Sequence, residues 1–184
     1  MTAAFVERTN FDPNPEALLS LCGGADIRLG AGRLGWRAEP PVDGTSRLVD
    51  GRGVPMIDLW FAYGRFVAGH APLLYWESFD PEDYALTADF EAARAEFDSE
   101  YRRIREPALQ VLGQPVVESC APGCAHSVWR TPTNLRVLQQ AAHDPQFGLE
   151  INWWIQPWNE SSVPPFGSLI DWLHELQRVD RRFA

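Results

Sequence analysis

The sequence predicts an α+β fold: a mainly antiparallel sheet, one long amphipathic helix in the middle of the chain, and a C-terminal helix packed on it. Three observations lead there. Phe90, Phe97, Tyr101 and Ile104 recur at helical spacing, with Glu, Asp and Arg between them. The segments on either side are rich in aromatic and β-branched residues and are punctuated by Pro, Gly and Asp. Finally, 184 residues with 45% hydrophobic content suit one domain with a sizeable core. The helical stretch near 80–113 is where a sub-division into N-terminal and C-terminal strand sets would fall.

The elements follow in order. Asp12-Pro13-Asn14-Pro15 starts a short helix through Cys22, closed by Gly23-Gly24. Residues 25–39 read as two short strands around a glycine-rich hairpin at Gly30–Gly35. That stretch spells G-x-G-x-x-G, but the dinucleotide fingerprint needs a helix opening at its third glycine, and Pro40-Pro41 follow too soon. Pro40 to Pro55 has the turn-residue density of a long loop. Met56–Phe66 and Leu73–Phe79 read as strands, with Gly69-His70-Ala71-Pro72 as the turn between them.

The long helix is capped by Asp80 or Thr87, is kinked or ended by Pro107, and stops at Gly113 at the latest. An antiparallel meander then runs through Val116–Ser119, Ser127–Arg130, Leu135–Ala141 and Gly148–Gln156, with 144–148 as the last turn. Ser168 before Leu169-Ile170-Asp171 caps the final helix, whose apolar stripe is Leu169, Trp172, Leu173, Leu176 and Phe183. Arg178, Arg181 and Arg182 suit its C-terminal dipole end.

Charge narrows the function classes. Sixteen basic residues, all Arg, against 25 acidic ones give a net charge of −9. That balance disfavours nucleic acid and anionic membrane and favours a basic protein partner. No apolar run approaches the roughly 20 residues of a membrane span, and no signal peptide opens the chain, so a cytosolic protein is expected. Three cysteines, an odd number, fit reduced thiols.

Two patterns suggest a recognition surface. In Ile151-Asn152-Trp153-Trp154-Ile155-Gln156-Pro157-Trp158, period-two alternation puts Ile151, Trp153 and Ile155 on a core face. Asn152, Trp154 and Gln156 then share the other face, and Trp154 and Trp158 read as exposed anchors among amides. In the acidic segment 77–106, Glu96 and Glu100 lie on a solvated helix face able to steer a basic partner.

Catalytic and metal patterns are weaker. Cys120-Ala-Pro-Gly-Cys124-Ala-His126 has zinc-compatible spacing, with His143 or Cys22 to complete it, but the second ligand pair of a structural site is missing. No nucleophile elbow, zinc-protease or phosphate-loop context surrounds any of the four histidines. The expectation is therefore a non-catalytic, cofactor-free acidic binding domain of bacterial origin. Its best-fitting role is an immunity-type inhibitor that neutralises a toxic enzyme by stoichiometric binding. The alternatives are a small enzyme or zinc-dependent domain on Cys120, Cys124 and His126, a secretion-type chaperone, or a module stacking flat ligands on Trp154 and Trp158. An uncovered sheet edge would also allow a homodimer.

Overall fold

The computed structural model describes residues 7–8, 17, 21, 27–62, 65–76, 87–132, 134–141 and 149–157. These residues build an α+β fold. The strands are β1 (Glu7–Arg8), β2 (Arg37–Ala38), β3 (Thr45–Val49), β4 (Pro55–Ala62) and β5 (Arg65–Trp76), then β6 (Val117–Ser119), β7 (His126–Arg130), β8 (Asn134–Ala141) and β9 (Leu149–Pro157). The helices are α1 (Ile27–Arg33) and α2 (Thr87–Leu112). All nine strands join one sheet in the order β2-β3-β4-β5-β9-β8-β7-β6, with β1 paired to β5 beside this path. Every pairing is antiparallel. Because β9 inserts between β5 and β8, the C-terminal meander docks onto the N-terminal one through the β5–β9 ladder.

Helix α2 follows the expected periodicity. Ala93, Phe97, Tyr101, Ile104 and Ala108 are buried at spacings of three and four, against Ile151, Trp153, Ile155, Leu138 and Trp129 of the sheet. Pro107 lies inside the helix and does not end it. A proline there costs about 3 kcal/mol; Ala108, Leu109 and Leu112 pack on the core beyond it and hold the last turn in place. Gly113 then stops the helix at φ +74°, its N–H donating to Leu109 O over 2.9 Å.

Three local readings need correction. The loop expected from Pro40 to Pro55 contains β3, because Leu48 and Val49 reach the core when Thr45–Val49 pairs with β4. Residues 27–33 form a helix rather than the first arm of a hairpin, because Ile27 and Ala31, four apart, reach the core together and Gly30 packs against Leu21. Gly35 at φ +74° ends it: Trp36 N–H reaches Ala31 O and Gly35 N–H reaches Gly32 O, a helix-stopping pair of bonds. Gly69–Pro72 is not a turn but the middle of β5. A Cβ on Gly69 would lie 2.9 Å from Ile57 Cδ1, so glycine there makes room for a neighbouring strand's side chain. Pro72 sits at the register shift between Pro72 and Leu74, where the ladder tolerates a missing N–H. The expected turn at 144–148 and the C-terminal helix, with Trp158, lie outside the described residues.

No helix among the described residues is long and apolar enough to cross a membrane.

Candidate functional site

The helix that carries Glu96 and Glu100 is anchored from below. Asp98 turns inward, and its Oδ1 accepts from Gly123 N–H at 3.1 Å and from Gln140 Nε2 at 2.6 Å. One turn on, Tyr101 Oη meets Ser127 Oγ at 2.9 Å, and Ser127 donates to Glu118 Oε1 at 2.9 Å. Arg105 closes the network on Glu118 at 2.6 Å. Burial pushes the Tyr101 hydroxyl above the ordinary tyrosine range, so it stays protonated and available as a donor. A rigid helix is thus tied to the tip of the β6–β7 hairpin and to β8.

On its outer side, Glu91 and Arg94 form an ion pair, and Arg103 donates to Glu100 at 2.6 and 2.9 Å. Glu96 and Glu100 are both half-exposed. Between Thr87 and Glu100 the sequence carries five carboxylates and one arginine; from Tyr101 to Leu112 it carries three arginines and one carboxylate. The acidic charge is therefore concentrated on the N-terminal half of α2, where the helix dipole also favours it.

The β9 face is where the structure departs most from expectation. Asn152, Trp154 and Gln156 do share one face, opposite Ile151, Trp153 and Ile155, but that face is not open. Their exposures are 1%, 3% and 2%. Trp154 packs with Val128, Leu135 and Val137 in a second apolar cluster, with Trp60 and Val117 at its margin. The indole stacks on His70 with centroids 4.1 Å apart, meets Trp60 edge-on at 5.6 Å, and donates to Gln139 Oε1 at 3.1 Å. Asn152 Oδ1 is engaged by His70 Nε2 at 2.9 Å. The expected exposure of Trp154 is thus corrected: Asn152 and Gln139 hold their own neighbours, and the ring face is already stacked. Gln156 Oε1 is buried with no hydrogen-bond partner among the described residues.

The cysteine loop is a tight hairpin. Cys124 N–H donates to Ala121 O at 3.0 Å, and Gly123 has φ +73° after Pro122, the geometry of a type II turn. Continuing the Ser119↔His126 register sets Cys120 opposite Ala125 and Cys124 opposite Ala121. Alternation then sends Cys120 to the α2 side and Cys124 with His126 to the other. Both cysteines are free thiols, and among the described residues no group of three or more His, Cys, Asp or Glu side chains is placed to hold a metal ion. His143 and Cys22 lie outside the described residues. Burial lowers the His126 pKa below the ordinary histidine value.

Sequence reasoning missed His70, Asp98, Gln139 and the Asp58–Arg47 pair. The period-two spacing of Asp58 and Trp60 in β4 was the available signal for the strand face that His70 joins. Nothing local signalled which residue of β5 would face them.

No protein-family model matches this chain, and no curated protein or solved structure is detectably similar to it.

Proposed function

We propose that this protein is a non-catalytic, acidic binding domain of the immunity type, which neutralises a basic toxin enzyme by covering it stoichiometrically. The observation that carries the reading is the concentration of carboxylates on the N-terminal half of α2, within a chain of net charge −9. Glu96 and Glu100 sit on a helix whose inner side is fixed by Phe97, Asp98 and Tyr101, so a partner would meet a preorganised surface. Such charge steers association and sets the on-rate. The Glu100–Arg103 pair is exposed and weak, so exchanging Arg103 for a partner's cation costs little. Trp154 plays no part in this contact, because it is buried.

The test is capture of the tagged protein's partner followed by kinetics. The expected partner is a single stoichiometric basic protein whose own enzymatic activity stops on binding. Charge reversal by Glu96→Lys with Glu100→Lys should slow association about tenfold at low salt and flatten its salt dependence. An unfolded secreted substrate in place of an active enzyme would instead identify a secretion-type chaperone. Unchanged association kinetics in the double variant would remove α2 as the steering surface.

A further inference from the structure

The strand registers place one row of side chains across seven strands, from β3 to β6, on the face away from α2. Arg47 lies opposite Asp58, Asp58 opposite His70, and His70 opposite Trp154. The row continues through Val137, Val128 and Val117. It therefore runs from an ion pair at one side, through an imidazole, into an apolar cluster. We propose that Arg47, Asp58 and His70 form a proton-operated charge switch, in which Asp58 leaves Arg47 for the protonated imidazole of His70.

At neutral pH the three groups are divided. Asp58 is held by both nitrogens of the Arg47 fork, at 2.7 and 3.0 Å. His70 turns the other way, with Nε2 on Asn152 Oδ1 at 2.9 Å and its ring stacked on Trp154. Amide Oδ1 can only accept, so Nε2 carries the proton and Nδ1 receives the second one. Directly opposed residues of an antiparallel pair have Cβ atoms about 4.5–5.5 Å apart, within reach of an imidazolium–carboxylate pair.

The charged groups facing His70 among the described residues are Asp58 on β4 and Glu150 on β9, with Arg47 on β3 behind Asp58. Burial holds His70 below the ordinary histidine range, against the Asn152 hydrogen bond and the attraction of Glu150 and Asp58. Of the two carboxylates, Asp58 is the one set directly opposite His70 by the strand register, while Glu150 lies opposite Tyr75, and Asp58 has a cation to release. Arg47 is 43% exposed, so on release its guanidinium is hydrated at the sheet surface. The device thus converts proton uptake inside the sheet into a freed positive charge outside it.

The test follows the imidazole proton resonance of His70 in the full chain through a pH titration, with His70→Gln to assign it among four histidines. Arg47→Ala leaves Asp58 facing His70 alone and should raise the midpoint by about one pH unit, and Asp58→Asn should lower it by a similar amount. Arg47→Lys keeps the charge without the fork and should fall between wild type and Arg47→Ala. Arg47 is a surface side chain, so its variants fold, and circular dichroism checks this directly. A His70 midpoint unmoved by Arg47→Ala in folded protein overturns the exchange. A midpoint that moves only with Glu150→Gln overturns it equally, since the proton would then answer to β9 alone.

Discussion

Replacing Trp154 by alanine is the sharpest test of how this sheet is built. Were the ring a surface anchor, truncation would leave the fold intact and weaken partner binding by about 2 kcal/mol. The structure reverses that expectation. At 3% exposure the side chain removes roughly 200 Å² from water, and at about 25 cal/mol per Å² this amounts to about 5 kcal/mol. Cavity-forming Trp→Ala changes in cores cost about 3–5 kcal/mol, so a loss near 4 kcal/mol is expected. Urea unfolding followed by far-UV circular dichroism would read this as a midpoint about 2 M lower, taking a slope near 2 kcal/mol per M. Trp154→Phe separates the contributions. It keeps a ring for His70 to stack on but leaves Gln139 Oε1 without its donor, for a loss of about 1–3 kcal/mol. A loss under about 1 kcal/mol in the alanine variant would refute the buried placement and restore the exposed surface.

Other consequences are equally direct. Asp98→Ala removes the acceptor for Gly123 N–H and Gln140 Nε2, and should cost about 2 kcal/mol while speeding hydrogen exchange at the Gly123 amide. Gly69→Ala forces a methyl against Ile57 Cδ1 and Leu59 Cδ2 and should lower the thermal midpoint, at about 1–3 kcal/mol, although alanine is the better residue by backbone entropy. The histidines set a pH window. Burial depresses the folded pKa of both His70 and His126, so below the unfolded value near 6.5 the unfolded chain binds protons that the folded chain does not. Stability should be full above pH 6.5 and decline as the pH falls toward the depressed folded values. His70→Gln should flatten that decline in a series of urea titrations between pH 7 and 5. Asp50 acts lower down: hydrogen bonds from Val54 and Arg52 hold its folded pKa below the ordinary carboxylate value, so its contribution is full above that value and is lost as the pH falls through the depressed one.

Much of the architecture is legible in the chain because its causes are local. A stripe at spacings of three and four made α2 readable, and Gly113 marked its end because only an open backbone at φ +74° lets the last carbonyls find a donor. The C-terminal meander was readable for the same reason: alternation and turn residues act over a few positions. Trp153 and Trp154 show where such reading stops. Period two assigns them to opposite faces, but whether a face meets water depends on what the rest of the chain lays against it, and here both are buried.

Composition at 27–33 and 69–72 pointed to turns because glycine and proline are turn-formers in isolation. Tertiary packing overrode that preference where Ile27 and Ala31 gained a core contact and Gly69 gave Ile57 the space of a side chain. The Cys120–Cys124–His126 spacing looked like a ligand set along the chain, yet hairpin register divides it between two faces. The row Arg47–Asp58–His70–Trp154 joins four strands and could not be found from any single window of sequence. Local propensities determined α2 and the strands of the C-terminal meander, and the net charge of −9 was set by composition alone. The tertiary structure decided register and coverage, because both are fixed by contacts between residues distant in sequence, and those decide which polar groups can meet.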